Sequence, residues 1–334
     1  MGIKMSKVKV GFVGVGGIAG VHLENVSKNS NAEIVAVCDI AEENAKKKGL
    51  QYNATPYTDL DEMLEKEVMD AVFVCVPPFA HGDIEEKIVA KGIHLLVEKP
   101  LGLDIETVQK KAKVIKNSGV ICGVGYCLRY LDTVAKAKEY LKDKTIAMVR
   151  GHYITSFVST PWYREMNKSG GQLVEQSTHT LDLMRYLAGE FDSVYANMSL
   201  QVLSDIPNID IPDVTSVNVT FESGAVGHLD SSMTQLDHRT GIEILGKDFR
   251  VEIDGVNVSI VEKDSTITYK SKVDFYQEQD NRFIEAVMKG DPAILLSDYE
   301  DGVKTLAATL ASNKSNELGL PIKLSSLIED KISL

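Results

Sequence analysis

The sequence predicts two domains in series: an α/β domain on a doubly wound parallel sheet over residues 1–125, then an α+β domain with a large, mainly antiparallel open sheet over residues 126–334. Three observations predict this. Through residue 125, short runs rich in Val and Ile alternate with stretches of helical periodicity. A glycine-rich turn follows the first of these runs. Later in the chain the alternation stops, and strand-like runs follow one another directly across turn dipeptides.

The runs at 7–13, 32–38, 71–76, 94–98 and 120–125 are nearly continuous in hydrophobicity, as strands buried on both faces are. Helical stretches lie at 18–27, 42–48, 60–66, 82–91 and 105–117. Strand and helix alternating at this spacing give right-handed crossovers and a parallel sheet. After a helix at 132–141, strands are expected at 145–154, 193–200, 214–222, 225–233, 241–245, 249–253, 256–261 and 266–269. Turn pairs such as Ser223-Gly224, Asp254-Gly255 and Lys263-Asp264 separate many of them. Helices at 173–188, 275–288 and 299–318 are assigned to this second sheet and cover one face of it. Val217, Val219 and Phe221 alternate along one strand and are expected on the other face, buried against a symmetry mate. A homodimer or homotetramer follows.

Composition bounds the function. The 334 residues suit two globular domains, with 44% hydrophobic and 25% charged residues. The formal charge of −12, with both signs interspersed, argues against a nucleic-acid partner, which calls for a basic face. No apolar run approaches the ~18 residues of a membrane span. The N-terminal residues carry lysines but no apolar core of a secretory signal. Cys38, Cys75, Cys122 and Cys127 form no C-x-x-C pair. They read as thiols of a reducing cytoplasm, neither metal ligands nor a disulfide frame.

The glycine-rich turn is Gly14-Val15-Gly16-Gly17-Ile18-Ala19, a G-x-G-x-x-A pattern between a strand and a helix. Gly14 permits the tight turn, Gly16 lets the backbone approach a pyrophosphate, and Ala19 allows close helix–strand packing. The pyrophosphate would sit on the helix N-terminus, where N–H groups point outward. Asp39 ends the second strand about 20 residues further on, where an acidic side chain holds the ribose hydroxyls. The competing role for Asp39 is a helix cap paired with Glu42. No cation stands in Ile40-Ala41-Glu42-Glu43 to receive a 2′-phosphate, so NAD is expected over NADP.

Further motifs complete a pattern over nearly the whole chain. Val76-Pro77-Pro78-Phe79-Ala80-His81 follows one core strand and Glu98-Lys99-Pro100 the next. Gly125-Tyr126 precedes Arg129-Tyr130, and Gly170-Gly171-Gln172 leads through Glu175 to Ser177-Thr178-His179, with Asp182 beyond. In these residues the chain resembles the glucose–fructose oxidoreductase / inositol dehydrogenase / MocA family. The resemblance implies a Rossmann domain that binds NAD through the Gly14–Ala19 turn, Asp39, Val76, Pro77, Pro78, His81, Glu98 and Lys99. It also implies a sugar or cyclitol substrate, with Lys99 and His179 at the reacting hydroxyl.

The residues support that implication. Lys99 follows an apolar strand, and ligands of open α/β sheets bind at the carboxyl ends of strands. Pro100 holds Lys99 extended. A lysine in a partly desolvated cleft beside a cationic nicotinamide has its pKa lowered toward the working pH. Glu175, His179, Asp182 and Tyr186 recur at helical spacing as one polar stripe, with Val174, Ser177, Leu181, Met184 and Ala188 roughly opposite. The family usually has Asp where this chain has Glu175, and Gly where it has Ser177, which leaves the substrate open. Trp162 offers a face on which a sugar could stack, or a packing residue. Arg129 offers a substrate contact, or a structural ion pair. His22 is expected to be structural.

The expected reaction transfers hydride from a polyol carbon to nicotinamide, His179 taking the hydroxyl proton with Lys99 bonded to the same oxygen and Glu175 and Asp182 orienting the site. Either Lys99 or His179 fits the role of proton acceptor. Two alternatives stand beside it: an NAD-assisted glycoside-cleaving enzyme with no net redox change, and a non-catalytic NAD-binding sensor.

Overall fold

The computed structural model describes residues 7–328. The chain divides into two compact units. The first runs up to Gly102 and adds Glu106–Cys127 and Asp274–Gly302; the second holds Leu103–Ile105, Leu128–Val273 and the chain from Val303 onward.

In the first unit the chain runs β1 (Val8–Val13), α1 (Gly17–Lys28), β2 (Ala32–Cys38), α2 (Glu42–Tyr52), β3 (Thr55–Tyr57), α3 (Leu60–Lys66), β4 (Ala71–Val74), α4 (Ile84–Ala90), β5 (His94–Val97), α5 (Ile105–Ser118) and β6 (Cys122–Val124). Its six strands lie in the order β3-β2-β1-β4-β5-β6, and every pair is parallel. β4 is buried along its whole length, as the continuous apolar run requires. Only β3 was not expected. It contains Pro56, which demotes a run to edge position, and it is the edge strand beside β2.

The remaining elements are α6 (Asp132–Leu141), β7 (Ile146–Ile154), α7 (Met166–Ser169), α8 (Gln172–Glu175), α9 (Thr178–Ala188), β8 (Phe191–Ser199), β9 (Val214–Phe221), β10 (Val226–Ser232), β11 (Arg239–Gly246), β12 (Phe249–Asp254), β13 (Asn257–Glu262), β14 (Ser265–Tyr269), α10 (Phe275–Lys289), α11 (Tyr299–Leu318) and β15 (Ile322–Lys323). The second sheet has nine strands in the order β14-β13-β12-β11-β7-β10-β9-β8-β15. All its pairs are antiparallel except β7 with β10.

Three expectations are corrected. The helix assigned to the second sheet at 275–288 is α10, and it belongs to the first unit. Phe283, Ile284 and Ala286 join Ala19, Leu23 and Val26 of α1 in one core over Val10, Phe12 and Phe73 of the parallel sheet. The single helix expected at 173–188 is two, α8 and α9. Gln176 (φ −112°) and Ser177 separate them, and the Ser177 N–H reaches back to the Gln172 carbonyl at 2.9 Å, five residues away, in a wide turn. Finally, Val217, Val219 and Phe221 are 0, 3 and 1% exposed within the chain itself. Alternation fixes that these residues share a face, and here it is the buried one. Ser216, Asn218 and Thr220 take the other side, so the apolar argument for a symmetry mate falls.

Candidate functional site

The dinucleotide turn is built at the carboxyl end of β1. Gly14 has φ +78°, and a Cβ there would lie 2.7 Å from the Cys75 carbonyl oxygen, so both conformation and space demand glycine. Added Cβ atoms at Gly16 and Gly17 would meet nothing within 4 Å. Gly16 is the N-cap of α1, no side chain caps that end, and no acidic residue stands in the first turn. The exposed N–H groups and open space fit a bound pyrophosphate.

Asp39 touches this turn directly. Its Oδ2 accepts the Val15 N–H at 3.0 Å and its Oδ1 accepts the Ala41 N–H at 2.9 Å. The capping pair with Glu42 does not form: the N-cap of α2 is Ala41, without a side-chain bond, and Glu42 pairs with Lys46 at 2.8 Å.

After β4, Pro78 opens a short 3-10 turn, Pro78–Ala80, with Val76 and Pro77 half-buried before it. His81 follows that turn. Its ring is buried and bonds to Glu85, whose other oxygen takes Lys111 at 2.5 Å. Burial raises the Glu85 carboxyl, but His81 and Lys111 outweigh it and hold it below the ordinary range.

At the end of β5, Glu98 is buried, Lys99 half-buried and Pro100 buried. The Glu98 Oε1 lies 3.0 Å from His22 Nε2, and His22 Nδ1 lies 2.8 and 3.0 Å from the two oxygens of Asp280 in α10. Asn25 donates to Asp280 at 2.8 Å. Burial alone would lower the His22 pKa; the Asp280 charge and hydrogen bond, then Glu98, reverse this and raise it to about 10. Burial and the Glu98 charge push the Asp280 carboxyl upward as well. Sequence reasoning missed Asp280. The signal was there: His22 and Asp280 sit on the apolar stripes of their helices, where a charged side chain needs a partner.

In the second unit, Arg129 forms a buried ion pair. Its Nε and Nη2 donate to Asp182 at 2.8 and 2.6 Å, Thr305 donates to the same carboxylate at 2.7 Å, and the guanidinium lies over the Tyr186 ring at 4.7 Å. Of the two roles open to Arg129, this is the structural one. Asp182, expected to orient substrate and imidazole, is committed to this pair. Glu175 ends α8, and His179 stands in the first turn of α9 with its N–H bonded to the Gln176 carbonyl at 3.2 Å. They are therefore not one turn apart on one helix; both side chains are half-buried.

Tyr163 donates to Gln176 at 2.7 Å. Burial, then the Glu175 and Tyr153 charges, push its phenol well above the ordinary value. Trp162 packs edge-on to Tyr163, with centroids 6.2 Å apart, beside a small cluster of Tyr163, Ile211 and Met233. Among the described residues, no group of three or more His, Cys, Asp or Glu is arranged to hold a metal ion, and no helix is long and apolar enough to cross a membrane.

Comparison with known proteins agrees with this architecture. Residues 8–126 match the model of an oxidoreductase family with an NAD-binding Rossmann fold, and residues 134–260 match the GFO/IDH/MocA C-terminal domain. The myo-inositol 2-dehydrogenase of Thermotoga maritima is 28% identical over 337 residues, 96% of this chain and 100% of the relative. The scyllo-inositol 2-dehydrogenase (NAD(+)) of Bacillus subtilis is 30% identical over 264 residues, 76% and 73% of the two chains. The WlbA dehydrogenase of Bordetella pertussis, solved with NADH and UDP-GlcNAcA, superposes with a TM-score of 0.83 at 23% identity, over 95% of this chain and 98% of that one. At that identity the likeness is one of fold.

Proposed function

The chain belongs to the Gfo/Idh/MocA family of NAD-binding oxidoreductases, and from that premise we propose that it is a dehydrogenase of a sugar, sugar derivative or cyclitol, with NAD preferred to NADP. One observation carries this reading. The open dinucleotide turn after β1 and the half-buried Lys99 after β5 stand at the carboxyl edge of the same parallel sheet. Ligands of such sheets bind at that edge.

Bound nicotinamide supplies the hydride acceptor. The residues of this chain supply proton handling and orientation. In the proposal, Lys99 donates a hydrogen bond to the reacting hydroxyl oxygen and His179 takes its proton as a general base. Glu175 accepts from a neighbouring hydroxyl and favours the protonated imidazole. Trp162 is retained as a stacking surface for the substrate. Arg129 is withdrawn from the substrate set, since its guanidinium holds Asp182. The preference for NAD rests on Asp39, whose carboxylate braces the turn and would repel a 2′-phosphate. Relatives that act on inositols favour a cyclitol, while Glu175 and Ser177 depart from the family pattern and leave other polyols open. A homodimer or homotetramer is part of the same reading.

The test is a panel of inositols, aldoses, polyols and glycosides assayed for NADH formation, with Lys99→Ala as control. Turnover of a polyol or cyclitol that Lys99→Ala abolishes, with NAD affinity kept, supports the reading. Glycoside cleavage without NADH accumulation replaces it with the glycosidase reading, and NAD binding without any turnover replaces it with the sensor.

A further inference from the structure

The cluster of His22, Glu98 and Asp280 is not used by the reaction as described, yet it lies directly behind Lys99. Both ring nitrogens of His22 face carboxylates. A ring nitrogen that faces an ionised carboxylate must donate to it, and the raised pKa of His22 agrees with an imidazolium held between the two side chains. Around the ring and its partners stand Asn25, the rings of Phe73 and Tyr276, and the thiols of Cys75 and Cys127, with the Lys99 charge felt at Cys127. Two carboxyl groups and one imidazole are thus packed together in the core. Ionic groups buried this way are poor stabilisers compared with apolar packing. What the cluster does provide is geometry, because three elements meet at one ring: α1 through His22, the β5 end through Glu98, and α10 through Asp280.

Gly125 shows how tightly Glu98 is held. A Cβ at that position would lie 2.3 Å from Glu98 Oε1, and its nearest contacts are all atoms of the Glu98 carboxylate. Glu98 is buried, and Lys99, the next residue, is half-buried where the chain bends after β5, so the anchoring of Glu98 sets the point from which Lys99 departs.

We propose that His22 is a positioning residue for Lys99: clamped between Asp280 and Glu98, it pins the Glu98 side chain to the buried side of the strand end and so fixes the direction in which Lys99 leaves the sheet. The consequence for turnover rests on the dehydrogenase reading; the geometric claim does not.

The test uses the full-length protein with His22→Gln and Gly125→Ala, each checked for native circular dichroism. Gln fills the space of His22 without its charge. The Ala methyl displaces only the Glu98 carboxylate. Trace acetic anhydride labelling, read by peptide mass spectrometry, reports Lys99 against the exposed Lys28 and Lys66. Labelling of Lys99 is expected to rise about threefold or more in both His22→Gln and Gly125→Ala. On a polyol that wild type oxidises, kcat is expected to fall about tenfold or more in both, with the KM for NAD little changed. Unchanged Lys99 labelling in a folded His22→Gln or Gly125→Ala protein overturns the proposal. If one of these two fails to fold, the other decides. Should wild type oxidise no polyol, the dehydrogenase reading fails while the labelling still answers the question of position.

Discussion

Replacing Arg129 by Met tests whether this residue holds the fold or the substrate. The Asp182 carboxylate is 2% exposed and receives Arg129 at 2.6 and 2.8 Å and Thr305 at 2.7 Å; Arg185 stands no closer than 4.0 Å. Met keeps much of the stem that lies along Tyr186 but removes the charge. Asp182 is then a buried anion with one hydroxyl donor and one distant guanidinium. Breaking a buried pair by removing one partner costs about 3–5 kcal/mol, a large part of the ~5–15 kcal/mol that holds a domain folded. For a unit of this size that is a fall in Tm of roughly 6–20 °C. Scanning calorimetry should show the loss in the transition of the second unit. Arg129→Met combined with Asp182→Leu should recover most of it, because no unpaired charge remains. A Tm within about 2 °C of wild type, joined to a KM for the polyol raised tenfold or more, would refute the reasoning and return Arg129 to the substrate.

Three further outcomes are expected. Asp39→Ala should lower kcat/KM for NAD and raise the NADP-to-NAD ratio about tenfold, since it removes both the charge and the brace on Val15; equal use of the two cofactors by wild type would already contradict the role given to Asp39. Glu175→Gln should lower kcat and move the pH–rate profile, while Glu175→Asp should keep kcat and change the order of substrates; profiles superimposable on wild type in both variants would remove Glu175 from the chemistry. The His22 cluster should make stability depend on alkaline pH. Its folded pKa is raised to about 10, above the unfolded value of about 6.5, so its contribution is complete below the lower figure and is lost as pH rises through the upper one. Denaturation midpoints measured from pH 6 to 10.5 should fall in wild type and much less in His22→Gln, and parallel curves would contradict the assignment.

What could be seen in the sequence was what residues dictate locally. Gly14 and Gly16 announce a turn because only glycine satisfies the conformation or leaves the space. The segments 32–38, 60–66, 132–141 and 299–318 match β2, α3, α6 and α11 residue for residue. What escaped depends on contacts between distant residues. Nothing in Glu175-Gln176-Ser177-Thr178 breaks a helix by propensity, so the wide turn between α8 and α9 comes from packing. The alternation of Val217, Val219 and Phe221 marks a shared face but not its cover. The partner of His22 lies 258 residues away in Asp280. For the same reason Arg129 and Asp182, both noticed, could not be joined before their separation was known.

The return of residues 274–302 to the first unit sets an order of events at the ribosome. When Cys127 has been made, the parallel sheet has all six strands, but Phe73, Phe12 and Leu23 lack the cover that Phe283 and Ile284 provide. At cellular rates of synthesis, the wait for α10 is on the order of ten seconds. During that interval the nascent chain presents an apolar flank and a His22 without Asp280. A polypeptide ending at Cys127 would lack that cover permanently.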